Sequence, residues 1–459
     1  LLFVSVSLYA QTDTTYTIAK IKISGNYKTA IQIIEREIDV YVGESISHPE
    51  LISKLNSIQN RIFNTGLFVL VKYDIDSLPN QHITIHILVK ERWYTYIIPL
   101  LELADRNYNE WWQQRDRDLN RINYGFWLVQ KNMRGRNETL KIKLQGGFTG
   151  KLEGSYTFPY IHKKQTAGLS LGISYIYSRA VAASLLDHKL YYLENNKAII
   201  KRFAAGAEYQ YRGKYYTLHR GKLQFQHQSV LDTVTRFNPL YFGNGKNERN
   251  YISLSYGFSI DRRDIQYYAL KGYVISLELE KNGFVAKEHI NTAVLKSEAS
   301  LFTPLVGKFY YASGISSKLL LPKKQAFYDS RALGYDNHFV RGYELYVING
   351  QFSAVWKNSI KFQLYHKTKE ANWLPWGQFT KIPLSIYPSI NFDMGYVHDT
   401  NPENGNARIS NTLLQGGGLG IDFVTYYDLV FRSEYSFNRL GQHGFYLHFM
   451  AAIGGKKFL

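Results

Sequence analysis

The chain has 459 residues, no cysteine, a formal charge of +18 and 15% aromatic residues, including 38 Tyr and 26 Phe. The missing cysteines exclude thiolate metal sites and cysteine nucleophiles and suit an oxidising compartment. Lys and Arg are spread along the whole length without a basic run, which argues against nucleic acid and for a solvated exterior facing anionic head groups. Mean hydropathy is −0.28, and after the N-terminus no run of about 20 apolar residues offers a helical membrane span. A transmembrane β-barrel escapes that test, because only alternate residues face lipid.

Residues 1–10 form a short apolar run closing on Ala10-Gln11, the pattern of a secretory signal remnant. Residues 15–93 read as a small α+β domain. A strand through Ile18 and Ile23 ends at Ser24-Gly25-Asn26. Thr29 and Gln32 have capping-box spacing for a first helix carrying Ile33, Ile34 and Ile38. Ser47-His48-Pro49-Glu50 opens a second, with Leu51, Leu55, Ile58 and Ile62 on one face. Asn64-Thr65-Gly66 stops it, and two strands follow, 67–73 and 83–89. The predicted order is β-α-α-β-β. Three strands cannot close on themselves, so an edge remains on which an extended client can add.

From Tyr94 to the end, residues 94–459, a period-2 pattern recurs. Leu169, Leu171, Ile173 and Tyr175 alternate with small polar residues, as do Ile252, Leu254, Tyr256 and Phe258. Strands are predicted near 94–103, 120–130, 139–149, 151–159, 167–178, 197–212, 215–228, 250–260, 270–280, 293–303, 308–319, 350–365, 383–397, 412–424, 428–437 and 444–453. The count of sixteen is even, and short turns (134–136, 212–214, 305–307, 426–427) alternate with long loops (179–196, 229–249, 320–349). That rhythm predicts a 16-stranded antiparallel transmembrane β-barrel. The long connection 366–381 falls on the short-turn side and breaks it.

Within a stretch that has lost the alternation, 322–348, lies Phe339-Val340-Arg341-Gly342-Tyr343. A loop arginine folded into a barrel needs an acid, since an unpaired charge away from water is costly. Asp393, in Phe392-Asp393-Met394-Gly395-Tyr396, is the best placed, with Asp261, Asp264 and Glu434 as alternatives. Asp261-Arg262-Arg263-Asp264 before Lys271-Gly272, Asn132-Met133-Arg134-Gly135 and Phe158-Pro159-Tyr160 mark further turns.

With these motifs in this order, the chain resembles the BamA/TamA superfamily of outer-membrane proteins, the bacterial surface antigen family. Residues 15–93 resemble a single POTRA domain, most closely at Asn64-Thr65-Gly66-Leu67-Phe68. The resemblance covers nearly the whole chain and implies a periplasmic POTRA domain on an outer-membrane barrel. It implies that Arg341 enters the lumen and meets Asp393, with Gly342 permitting a tight backbone and Tyr343 packing alongside. The client-binding edge becomes Leu67, Phe68, Val69, Leu70, Val71, Lys72, Tyr73 and Asp74. The barrel seam lies between Tyr96, Ile97, Ile98 and Pro99 on the first strand and Phe445, Leu447 and Phe449 on the last. Pro99 lacks an N–H and removes one rung from that junction.

The implied function is insertion or export of client strands through a seam, with no cofactor and no metal. The implied partners are the outer-membrane bilayer and lipopolysaccharide, unfolded outer-membrane or exported client proteins and accessory lipoproteins. A dedicated export pore for one protein or a lipid-linked substrate is the alternative, although relatives of that kind carry two POTRA units and a plug helix. A barrel enzyme is the other. Only His398-Asp399 suggests it, and no Gly-x-Ser-x-Gly, P-loop or His-Glu-x-x-His is present.

Overall fold

The computed structural model describes residues 15–104, 111–112, 116–284, 288, 290–335, 338–370, 381–400, 406–425, 429–448 and 453. The expected signal remnant, 1–10, lies outside them. The chain divides into two compact units, 1–92 with 134–136, and 93–133 with 137–459.

The smaller unit runs β1 (Thr15–Ser24), α1 (Ile31–Glu35), β2 (Ser45–Ser47), α2 (His48–Asn64), β3 (Phe68–Ser77) and β4 (His82–Glu91). Its sheet order is β2-β1-β4-β3, so the predicted three strands are four and β3 is an edge. The extra strand is the three residues before α2, paired antiparallel to the start of β1. Ser47 is the N-cap of α2, with Pro49 in the first turn. Leu51, Leu55, Ile58 and Ile62 recur at helical spacing, and the sheet buries Ile18, Ile85, Ile87 and Val89 in the same unit. The capping box expected at Thr29 does not form. Ala30 is the N-cap of a five-residue α1, and the Thr29 N–H donates to Glu91 at 2.6 Å instead.

The larger unit is one antiparallel sheet. Its strands are β5 (Thr95–Leu103), β6 (Ile122–Met133), β7 (Glu138–Gly147), β8 (Thr149–Phe158), β9 (Ala167–Ser178), β12 (Ile200–Tyr211), β13 (Thr217–Val230), β14 (Glu248–Asp261), β15 (Gly272–Asn282), β16 (Thr292–Pro304) and β17 (Phe309–Leu321). After a long loop come β20 (Phe352–Phe362), β21 (Tyr365–Glu370), β22 (Lys381–His398), β23 (Leu413–Val424), β24 (Val430–Asn438) and β25 (His443–His448). Neighbours along the chain pair in the sheet, and β9 pairs with β12.

Among the described residues seventeen strands stand where sixteen are predicted, because the twelfth is split. Both β20 and β21 pair with the 18-residue β22. The connection that breaks the loop rhythm is thus in part a continued ladder, Tyr365↔Ile386 to Glu370↔Lys381. The segment predicted as a loop at 179–196 holds a hairpin, β10 (Ala180–Leu186) and β11 (Lys189–Glu194). A short helix, α3 (Asp232–Phe237), sits in the next loop, and β18 (Arg331–Leu333) pairs with β19 (Ile348–Asn349) in the longest one.

Side-chain alternation decides which face is which. Leu101, Ile173, Leu223, Leu254, Leu279, Ile390 and Leu419 stand 47–78% exposed on the outer wall. A continuous exposed apolar band of this kind fits lipid and no aqueous surface. The opposite face is polar. Lys141, Lys143, Glu153, Glu208 and Lys222 line a lumenal cavity of about 510 Å³.

Candidate functional site in the barrel lumen

The loop between β17 and β20 turns inward and packs against the inner faces of β20, β22 and β23. Val340, Tyr343, Tyr346 and Ile348 of the loop share one buried apolar cluster with Val355, Val397 and Leu414 of the wall. Arg341 is 1% exposed at the centre of this packing. Its Nη1 meets Asp393 Oδ1, and its backbone N–H donates to Asp393 Oδ2 at 3.2 Å. Its Nε lies 2.7 Å from Glu434 Oε1.

The sequence treats Asp393 and Glu434 as competitors; the structure brings both to one guanidinium. Asp393 is on β22 and Glu434 on β24, so a planar fork bridges carboxylates from two strands. Glu434 is itself held by the Ser436 hydroxyl at 2.6 Å and by Arg432 at 3.3 Å. The other two candidates do not reach Arg341. Asp261 pairs with Arg263 at 2.7 Å, and Asp264 accepts the Ile265 and Leu270 N–H groups within its own turn.

The loop backbone comes very close to the wall. Gly342 has φ of +78°, a left-handed conformation that favours glycine, and its carbonyl accepts the Asn438 side-chain amide at 2.6 Å. On β23 a Cβ at Gly416 would stand 1.8 Å from the Arg341 carbonyl oxygen. Gly416, the first of the glycine-rich stretch 416–420, therefore makes room for the inserted loop, which its sequence alone does not disclose. Phe339 stacks on His448 of β25 with centroids 5.6 Å apart.

A second anchor lies in the same loop and has no sequence motif. Arg249 of β14 forms a two-pronged pair with Asp329, Nη1–Oδ2 2.7 Å and Nη2–Oδ1 2.9 Å. Its guanidinium sits over the rings of Phe242, Tyr328 and Tyr251 at 4.5, 5.0 and 5.4 Å. One signal was available: Arg249 is in phase with Ser253, Ser255 and Gly257, on the face of β14 that alternation assigns to the lumen. Asp329 carries no such signal.

The hairpin β10–β11 folds onto this loop as well. The His188 carbonyl accepts the Val347 N–H at 2.8 Å, and His188 Nε2 accepts the Ile409 N–H at 3.2 Å. The Asn406 amide bonds the hairpin backbone twice, to Leu185 and His188.

The seam residues come from the first and last strands of the wall. Tyr96, Ile97, Ile98 and Pro99 lie in β5, and Phe445 and Leu447 in β25; Phe449 lies outside the described residues. The two strands are neighbours in the ring order. The ring order closes through that junction. Of the edge residues, Phe68 and Val71 are buried, Lys72 and Asp74 are exposed, and Val69, Leu70 and Tyr73 are intermediate; Leu67 is buried just before β3. His398 ends β22, and Asp399 joins a loop network with Asn411 and Gln351.

An antiparallel wall with an outward apolar band, a polar lumen and an inserted loop, after a small α+β unit, defines a transmembrane β-barrel preceded by a POTRA unit. The chain belongs to the Omp85 superfamily. Residues 132–361 match the Omp85 superfamily domain, and residues 16–92 match the surface antigen variable number repeat, the POTRA unit. Among solved structures, BamA from Haemophilus ducreyi lacking POTRA domains 1–3 is similar, with 16% identity and a TM-score of 0.51 over 94% of this chain and 84% of that one. CdiB from Escherichia coli is similar with 10% identity and a TM-score of 0.55, over 94% and 75% of the two chains. No curated protein matches the chain in sequence at a significant level.

Proposed function

We propose that this protein is an outer-membrane assembly or translocation factor. In this reading its POTRA unit lies in the periplasm and takes up unfolded client strands along β3. The barrel then passes them into or across the bilayer at the junction of β25 and β5. The observation that carries it is that junction, where the first and last strands of the wall meet and β5 carries a proline. Strand edges with unpaired N–H and C=O groups template an incoming strand. Pro99 of β5 supports the same view, since it offers no N–H there. Arg341, held by Asp393 and Glu434, fixes the inserted loop while the seam works. The bilayer, lipopolysaccharide and accessory lipoproteins are partners that the reading supplies. No cofactor enters the mechanism.

A dedicated export pore is the second reading, favoured by the polar cavity along Lys141, Lys143 and Lys222. One experiment separates the two. The chain has no cysteine, so Ile97→Cys combined in turn with Phe445→Cys and Leu447→Cys places single disulfides across the seam. All three side chains stand on the outer wall, 53–69% exposed. A locked seam that stops client insertion and recovers under reductant supports the first reading. Unchanged client handling with the disulfide fully formed overturns it and leaves the pore.

A further inference from the structure

The ten residues between β14 and β15, 262–271, form the longest fully described connection at the short-turn end of the barrel, and they do not stay on its rim. Their shape is fixed from within. Arg263 pairs with Asp261 at 2.7 Å and donates to the Gln266 carbonyl at 2.9 Å. The Asp264 carboxylate accepts the Ile265 N–H at 2.8 Å and the Leu270 N–H at 3.2 Å, and its own N–H donates to the Lys271 carbonyl at 3.0 Å. The Asp-Arg-Arg-Asp motif thus builds a rigid platform, and what the platform carries is Tyr268.

Tyr268 is 4% exposed, although it belongs to a turn. Its hydroxyl donates to Asp422 Oδ2 of β23 at 2.7 Å. The Lys361 ammonium of β20 lies 4.0 Å from the centre of its ring and 3.7 Å from the same Asp422 oxygen. Its ring packs 5.0 Å from that of Tyr387 on β22, in a buried cluster with Val424 and Val430. The next residue, Ala269, joins Phe302, Ala312 and Ile453 in another. A side chain rooted between β14 and β15 therefore meets β20, β22, β23 and the start of β24. Those strands lie three or more places further round the ring, so the contact crosses the lumen on a chord.

We propose that the 262–271 turn is a lumenal latch, in which Tyr268 bound to Asp422 and Lys361 closes the short-turn end of the barrel to hydrated solutes. The polar contacts of the latch involve neither β25 nor β5, and only Ala269 packs on a residue beyond β25, Ile453. The latch also differs from the Arg341 site. It holds a turn, not a loop, and it grips by a neutral hydroxyl on a carboxylate, a bond weaker than a buried ion pair and so suited to reversible opening.

The test uses the cysteine-free background. Ser359 of β20 is 2% exposed and lies on the inner face between Lys361, at the latch, and Lys357, opposite Asp393. A Ser359→Cys reporter in the full chain, reconstituted in nanodiscs, is titrated with a charged, membrane-impermeant methanethiosulfonate. Adding Tyr268→Ala should raise the labelling rate about tenfold or more, as expected for losing a hydrogen bond to a charged group. Tyr268→Phe, which keeps the packing and loses the bond, and Asp422→Asn, which exchanges the charged acceptor for a neutral amide, should each give a smaller rise. Labelling at the parent rate in a folded Tyr268→Ala protein, judged by heat-modifiable migration, overturns the proposal. If Tyr268→Ala does not fold, the two milder variants decide: acceleration supports the latch, and parent rates in both overturn it.

Discussion

Arg341 is buried with two carboxylates, and the energetics of the site follow from which partner is removed. Arg341→Ala would leave Asp393 and Glu434 facing one another without a cation between them. Breaking a buried pair in this way costs about 3–5 kcal/mol. The loop should then become cleavable by added protease, with a lower unfolding midpoint. Arg341→Lys should recover part of the loss, because an ammonium is a point charge that cannot fork to two carboxylates. Arg341→Ala loops as resistant as wild type would refute the arrangement. At this scale the sequence was half legible. Asp393 could be singled out because its motif lies on a strand within reach of the loop. Glu434 could not be promoted from competitor to partner, because the distance between β22 and β24 across one guanidinium is a property of the closed wall and not of either strand.

Among the elements, those with a strong period-2 pattern were legible and the rest were not. β9 and β14 are readable because each alternates large apolar residues with small polar ones. The β10–β11 hairpin reads as loop because its inward residues, Val181, Ala183 and Leu185, pack into a local core beneath it and lack that contrast. Its tip carries a titratable group outside the membrane-spanning strands. His188 is fully buried, and burial, with Arg408 adding to it against Asp187, pushes its pKa down to about 4. An unfolded histidine titrates near about 6.5. Between those values the undocked hairpin binds a proton that the docked one does not, so docking is strongest above about pH 6.5 and weakens as pH falls toward about 4. Protonation also removes the lone pair that accepts the Ile409 N–H. Hydrogen exchange across the hairpin, taken relative to the intrinsic rate of an unprotected amide at each pH, should therefore accelerate between about pH 6.5 and about 4. His188→Gln, which keeps an acceptor without a titratable group, should flatten that dependence. An equal acceleration in His188→Gln would show that another group is responsible.

For the molecule as a whole, the inserted loop ties together parts of the wall that no strand ladder connects. Asp329 reaches β14 through Arg249, and Arg341 reaches β22 and β24 through Asp393 and Glu434. The polarity reverses between the two anchors: an acid on the loop meets an arginine on the wall, then the opposite. If the loop is a strap under common constraint, loosening one end should lower the value of the other. Were the anchors independent, their effects would simply add, since well-separated sites without shared partners combine within about 0.3–0.5 kcal/mol. A double-mutant cycle with Arg249→Ala and Arg341→Ala, read by chemical unfolding of the barrel, distinguishes these cases. A strap predicts a double variant less destabilised than the sum by about 1 kcal/mol or more, because the second release acts on a loop already freed. The paired exchange Arg249→Asp with Asp329→Arg should restore protease resistance near 329, which neither single change does. Strict additivity in the cycle would mean that the two anchors hold separate halves of the loop, and that no signal passes between β14 and β24 through it.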